Sequence, residues 1–231
     1  MAKSKKTKDV TEERLEAVEE ALTRTEKILE KHQKNILSGI AVVIIIVLAY
    51  FSFQKYYLEP KEKVAAEQMW MAEKYFGMDS IQLALNGDGN YLGFLDIIDE
   101  YGITKTANLA TYYAGVCYMQ LGKYEEAIDY LSDFKSSDKV LAPMALGAIG
   151  DSYMELGKVD KAATYYLEAA DKENNAFTSP VFLQKASWAY ELKEDYKKAL
   201  QLQKRLKTDY PNTSEGREAD KYIALLTAKI K

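Results

Sequence analysis

Any chemistry in this chain would have to come from very few of the usual groups: one histidine, His32, and one cysteine, Cys117, stand among 231 residues. A serine or cysteine nucleophile needs an imidazole base within reach. His32 lies before an uncharged run, Ile36–Phe53, which separates it from the bulk of the chain. A single cysteine makes neither a disulfide framework nor a thiolate zinc site, and a single imidazole makes no multi-histidine metal centre. Cys117 immediately precedes Tyr118 on an apolar helical stretch, where a buried structural thiol is expected rather than one activated by a nearby cation. Adjacent carboxylates such as Glu125-Glu126 fall on expected exposed turns. No glycine-rich phosphate loop and no Gly-x-Ser-x-Gly elbow occurs. Asn86-Gly87-Asp88-Gly89-Asn90 has calcium-loop residue types, but an EF-hand starting at Asn86 needs Gly where Tyr91 stands and Glu where Ile97 stands. It reads as a turn. No catalytic residue, metal site or cofactor is expected, so the chain reads as a binder and not an enzyme.

The elements that would display a binding surface follow from the charge pattern. In total 31 Lys and Arg oppose 35 Asp and Glu, a net charge of −4. That balance argues against nucleic acid as a partner, because phosphate binding needs a clear cationic excess. The charges divide unevenly. Residues 1–35 carry 9 basic and 8 acidic groups, residues 36–53 carry none, and residues 54–231 carry the other 22 and 27. At about 1.5 Å per residue the uncharged run, ILSGIAVVIIIVLAYFSF, spans roughly the hydrocarbon thickness of a bilayer. Tyr50, Phe51, Phe53, Tyr56 and Tyr57 gather at its far end like an interfacial aromatic belt. A cleaved signal peptide would need a short leader and a small-x-small exit. Here 35 residues precede the run and Ala49-Tyr50-Phe51-Ser52 follows, which describes an uncleaved signal anchor. The lysines Lys3, Lys5, Lys6 and Lys8 tip the charge balance towards a cytoplasmic N-terminus, with residues 54–231 exported, in a bacterium to the periplasm.

The arm, residues 1–35, opens with a capping-box pattern, Asp9-Val10-Thr11-Glu12. Leu15, Val18, Leu22, Thr25 and Leu29 then alternate steps of three and four, continuing to His32 and Ile36. Such a seam could pair two copies weakly as a coiled coil and make a homodimer. A solvated helical stalk continuing into the membrane helix fits equally well.

Beyond Pro60 the chain compares with itself. Tyr118-Met-Gln-Leu-Gly-Lys-Tyr-Glu-Glu-Ala127, Tyr153-Met-Glu-Leu-Gly-Lys-Val-Asp-Lys-Ala162 and Tyr190-Glu-Leu-Lys-Glu-Asp-Tyr-Lys-Lys-Ala199 align at offsets of 35 and 37. Small residues precede each Tyr by three, at Gly115, Gly150 and Ser187, and Leu131, Tyr166 and Gln203 follow each Ala by four. Two antiparallel helices approach closely only where small residues cross, which pairs Gly115, Gly150 and Ser187 with Ala127, Ala162 and Ala199. The three Tyr residues then pack into the junctions. Gly122 and Gly157 suit helix ends, where a left-handed residue is needed. Ala72, Tyr75 and Ala84 repeat the spacing more loosely, with residues 86–90 as an insertion before an apolar helix at 91–101. After Pro211, an apolar stripe at Ala219, Tyr222, Ile223, Leu226 and Ile230 makes an end helix at 213–230.

This spacing resembles the tetratricopeptide repeat, whose signature is W-x-x-L-G-x-x-Y followed by Ala, Phe and Pro. The likeness covers about residues 107–213. It departs from the signature in Thr111, Leu146 and Leu183 at the leading Trp position and in lacking the first two closing prolines. The resemblance implies an all-α chain: an N-terminal helix continuing into one transmembrane helix, then a solenoid of about four hairpins (65–101, 107–140, 142–175, 179–211) closed by the end helix. In such solenoids the first helices line the concave face. Aligned by the motif, a partner-binding groove would hold Tyr112, Val116, Met119, Asp151, Met154, Glu155, Gln184, Trp188 and Glu191, flanked by Leu109, Met144 and Gly147. Each is equally compatible with a place in the core between repeats. The whole layout resembles the membrane-anchored repeat proteins of the bacterial envelope, nearest to the ancillary subunits of the Sec translocon that work beside a periplasmic chaperone. That family's exported repeats bind partner proteins and no cofactor. The resemblance implies a scaffold or co-chaperone acting during export. The alternative is an envelope coordinator for cell division or outer-membrane assembly, similar to the Tol-associated repeat proteins.

Overall fold

The computed structural model describes residues 23, 31–35 and 37–230. The heptad seam Leu15–Leu29, the Asp9–Glu12 capping box and Ile36 lie outside the described residues, and so does Lys231. The chain divides into two compact units, 1–57 and 58–231.

In the first unit, the described residues 31–35 and 37–53 form a helix, α1. Its 18-residue apolar window has a mean hydropathy of 2.7 with none of it buried, which makes it long and apolar enough to cross a membrane. His32 is exposed on this helix. A π-helical turn, Gln54–Leu58, falls at the boundary between the units.

The second unit is a succession of antiparallel helices: α2 (Glu59–Gly77), α3 (Ile81–Asn86), α4 (Phe94–Tyr101), α5 (Lys105–Gln120), α6 (Tyr124–Asp133), α7 (Leu141–Glu155), α8 (Val159–Glu173), α9 (Ser179–Leu192), α10 (Tyr196–Asp209) and α11 (Ser214–Ile230). Each helix packs on its sequence neighbour, and α2 on α5, α5 on α7 and α9 on α11 join successive first helices. This is a solenoid of four hairpins with an end helix. In the first hairpin the insertion at 87–93 splits the second helix into α3 and α4. Asp88 ties that insertion down: its carboxylate accepts from the backbone N–H of Asn90 (2.9 Å) and Tyr91 (2.8 Å) and from the Tyr75 hydroxyl (2.7 Å). Among the described residues no cluster of three metal-ligating side chains occurs.

One local device recurs in every hairpin. Gly122, Gly157 and Glu194 take left-handed conformations (φ 72°, 69° and 61°), each four residues after the repeat Tyr. Their N–H groups donate to Met119, Met154 and Glu191, and the next N–H groups, of Lys123, Lys158 and Asp195, donate to Tyr118, Tyr153 and Tyr190. That is a Schellman turn, which satisfies the last carbonyls of the helix. The first hairpin repeats it at Asp79 (φ 58°), with Ser80 N–H donating to Tyr75. The loose copy at Tyr75 is therefore built like the others.

The packing inside each hairpin also recurs, with one addition to the expected pairing. Ala127, Ala162 and Ala199 are fully buried, and the small residue of the first helix also meets the side chain four positions later. A Cβ on Gly115 would come within 2.6 Å of Leu131, and one on Gly150 within 2.6 Å of Tyr166. Ser187 instead accepts a hydrogen bond from Gln203 Nε2 at 2.9 Å and donates to the Ala199 carbonyl at 3.2 Å. The glycines make room for a large side chain, because a residue one turn beyond the Ala projects across the crossing. The repeat tyrosines stack at the position three after the Ala. Tyr118 lies on Tyr130 (centroids 5.1 Å apart) and Tyr153 on Tyr165 (5.4 Å), whereas Tyr190 packs in the cluster that includes Leu202.

Hydrogen bonds between and within hairpins hold the helix starts. Thr104 caps α5, Asp195 caps α10, and Thr213 Oγ1 accepts from Gly216 N–H at the start of α11. Glu62 of α2 reaches across to accept from Lys105 N–H (2.6 Å) and Thr106 N–H (3.0 Å), placing a carboxylate at the positive end of α5. The end helix buries Ala219 and Leu226, half-buries Tyr222 and Ile223, and leaves Ile230 exposed at the terminus.

Candidate functional site

A cleft of two recesses that share Lys185 runs over α5 to α9 and the start of α11, with most of its lining on α7, α9 and α11. Its floor near the middle hairpin carries Met119, Met154 and Tyr166, with Tyr124, Asp151 and Glu155 around them, and encloses about 320 Å³. It continues past Lys185 into a second recess of about 200 Å³ between α9 and α11, bounded by Val181, Gln184 and Trp188 on one side and Glu215 and Glu218 on the other. Val181, Gln184, Lys185 and Trp188 share one face of α9 because steps of three and four recur on a helix. Trp188 is 49% exposed.

Lys185 bridges the two recesses. Its ammonium binds both oxygens of Asp151, at 2.7 and 2.8 Å, and lies over the rings of Tyr166 and Phe182. The Tyr166 hydroxyl donates to the same Asp151 oxygen at 2.7 Å. Burial first, and the Asp151 hydrogen bond second, hold the Tyr166 hydroxyl well above its usual pKa, so it stays protonated and donates. The Asp151–Lys185–Tyr166 cluster is thus internally neutralised and fixes α7 to α9 and α8.

The nine residues aligned to the groove divide. Met119, Asp151, Met154 and Glu155 line the first recess, and Gln184 and Trp188 line the second. Tyr112 and Val116 instead pack on the buried cluster of Leu131, Ala145, Ala148 and Ile149, where Tyr112 lies against Phe134 (centroids 5.3 Å). They are structural contacts between hairpins. Glu191 lines neither recess and accepts an ion pair from Lys229 of α11 at 2.6 Å. Gly147 also leaves the groove, since a Cβ there would collide with the ring of Phe182 on the next hairpin. The motif alignment left out Tyr124, Val181, Lys185, Glu215 and Glu218. Val181 and Lys185 were within reach as same-face neighbours of Trp188, but Glu215 and Glu218 arrive only through the docking of the end helix.

Cys117 is fully buried, and burial raises its pKa to about 12, so at neutral pH it is an inert thiol. The described residues contain no assembly of nucleophile, base and oxyanion donor around either recess. What the cleft offers is apolar surface, one exposed indole and polar side chains.

Tetratricopeptide-repeat family models match residues 109–138 and 148–213. No curated protein matches the chain. Among solved structures, a Podosopora anserina protein named for kinesin light chain and its nearly identical TPR-like repeats superposes with a TM-score of 0.55 at 12% identity, over 74% of this chain and 88% of that one. The same protein carrying one substitution gives a TM-score of 0.55 at 13% identity, over 75% and 89%. At such identity the likeness is one of fold. The two matched segments are similar to tetratricopeptide repeats, in keeping with the Tyr–Ala spacing and the repeated Schellman turns, and the superpositions show an all-helical solenoid fold.

Proposed function

We propose that the chain is a membrane-anchored scaffold or co-chaperone of the bacterial cell envelope that holds segments of partner proteins in the cleft over α7, α9 and α11, at the Sec translocon during export. The observation that carries the binding part is the cleft itself: an exposed Trp188 and two methionines, Met119 and Met154, on a rigid helical floor. Tryptophan supplies large contact area at interfaces, and methionine adapts to irregular partners. Anchoring is supported by the unburied apolar window in α1, and the exported orientation by the lysine balance around it.

The test is a photo-crosslinking amino acid placed at Val181 in native membranes, followed by identification of what is captured, with and without Trp188→Ala. A defined partner that disappears with the Trp188→Ala change is expected. Capture unaffected by that change would remove the cleft from the account. A reporter fused after Lys231 should be active only on the exported side, and cytoplasmic activity would overturn the orientation.

A further inference from the structure

The charges around the cleft point to the kind of segment it takes, and this step rests on the proposed function above. Among the described residues Lys185 is the one cation lining either recess, and Asp151 already binds it through both oxygens. Three carboxylates remain there without a cationic partner among the described residues. Glu155 is met only by the Tyr124 hydroxyl at 3.4 Å, Glu215 only by the Ser214 hydroxyl at 2.9 Å, and Glu218 lies beside them. The two recesses thus present negative charge at both ends of an apolar floor.

Two further features agree with that pattern. Lysines lie over several of the exposed and half-buried rings of the solenoid, among them Tyr118, Tyr153, Tyr190 and Tyr222, yet among the described residues none lies over Trp188. Its open indole face is available to a cation brought by a partner. Gln184, 5% exposed beneath the second recess, has neither its Nε2 nor its Oε1 hydrogen-bonded. Buried amides are ordinarily satisfied, and one donor beside one acceptor is the complement of a peptide unit.

We propose that the cleft selects a cationic, apolar peptide segment, with its apolar side chains on Met154, Val181 and Trp188 and its Lys or Arg side chains on Glu155 at one end and Glu215 and Glu218 at the other. Gln184, whose amide atoms are closed to solvent, must turn out towards the recess to pair with a backbone amide of that segment. Complementary charge of this kind sets partner choice and speeds encounter more than it sets raw affinity.

The experiment uses the full-length chain and two fluorescent synthetic peptides that share a Leu-Phe core and differ only in flanking Lys or Glu. Anisotropy titration should show the Lys peptide binding about tenfold more tightly than the Glu peptide, with the difference shrinking in high salt. Glu215→Gln with Glu218→Gln should weaken the Lys peptide about five- to tenfold, the size expected of two largely exposed ion pairs, while leaving the thermal midpoint in place. Equal affinity for the two peptides, no binding of the Lys peptide, or indifference to the double substitution overturns the proposal. The two readings fail separately. If Trp188→Ala abolishes capture of the native partner while the glutamate changes do nothing, the cleft stands and its cationic preference falls. If Trp188→Ala also does nothing, the cleft itself falls.

Discussion

Replacing Glu194 by glycine should stabilise the protein. Glu194 holds the left-handed position that closes α9, at φ 61°, where the two preceding hairpins use Gly157 and Gly122 at 69° and 72°. The backbone bonds at the three sites are nearly identical: N–H to the carbonyl three residues back at 2.9, 2.9 and 3.1 Å, and the next N–H to the repeat Tyr at 2.9 Å in each. A residue with a Cβ is disfavoured there by about 1–2 kcal/mol. Glycine relieves that strain but adds about 0.5–1 kcal/mol of chain entropy lost on folding. The net gain for Glu194→Gly is therefore about 0.5–1 kcal/mol. Little is lost with the carboxylate, which is exposed and acts on Lys229 only through space, while Lys229 keeps its ion pair with Glu191. In a domain of this size 1 kcal/mol corresponds to about 2–4 °C, so the thermal midpoint followed by tryptophan fluorescence should rise by about 1–4 °C. The reverse change, Gly157→Glu, meets open space at its Cβ and should lower the midpoint by a similar amount through backbone strain alone. Asp79→Gly should gain less than Glu194→Gly, because aspartate tolerates the left-handed region better. An unchanged or lowered midpoint for Glu194→Gly, with Gly157→Glu equally silent, would refute the shared-turn argument.

Other outcomes follow from the packing and the titrating groups. Gly147→Ala drives a methyl into the Phe182 ring and should cost about 1–3 kcal/mol, read as a lower urea midpoint, whereas Gly77→Ala has open space and should not destabilise. Cys117 should resist Ellman's reagent at pH 8 in the native protein and react only on unfolding; rapid native labelling would contradict its burial. Asp88 is held below its ordinary value of 3.8 by the Tyr75 hydroxyl and then by the N–H groups of Tyr91 and Asn90, and Asp138 by those of Leu141 and Val140. Depressed carboxyl pKa values contribute stability that is complete above the unfolded value and lost as pH falls through the lower folded values. The insertion at 87–93 and the loop before α7 should thus hold from neutral pH to about pH 4–5 and loosen below it, with amide exchange at Tyr91 and Leu141 accelerating first. Exchange there that ignores acid would remove these carboxylates from the account.

Much of the architecture was legible because its determinants are local and repeated. The Tyr–Ala spacing of nine, the small residue three before the Tyr and the glycine four after it each describe one turn of helix or one helix end, and those are short-range properties of the chain. The apolar run at 36–53 was legible for the same reason, as length and composition alone make it able to span a bilayer. Even the degenerate first hairpin could be found from Ala72, Tyr75 and Ala84. The spacing did not show the large side chain that also meets each small residue. The atoms nearest a Cβ on Gly115 and Gly150 belong to Leu131 and Tyr166, because the direction in which a side chain leaves its helix decides who meets whom across a crossing.

The cleft was less legible, since its members come from separate hairpins whose relative rotation no single repeat encodes. Motif alignment placed Tyr112, Val116 and Glu191 beside Trp188. Packing between hairpins draws the first two into contact with Leu131 and Ile149, and the end helix engages the third through Lys229. The sequence alone determined that this chain carries repeated helical hairpins behind an apolar run, with one imidazole and one thiol in 231 residues. Only the tertiary structure decided which side chains share the groove, that Asp151 neutralises its lysine, and that Glu155, Glu215 and Glu218 have no ion-pair partner among the described residues. Helix formation depends on neighbours a turn away, whereas a shared surface depends on how hairpins separated by a full repeat settle against one another.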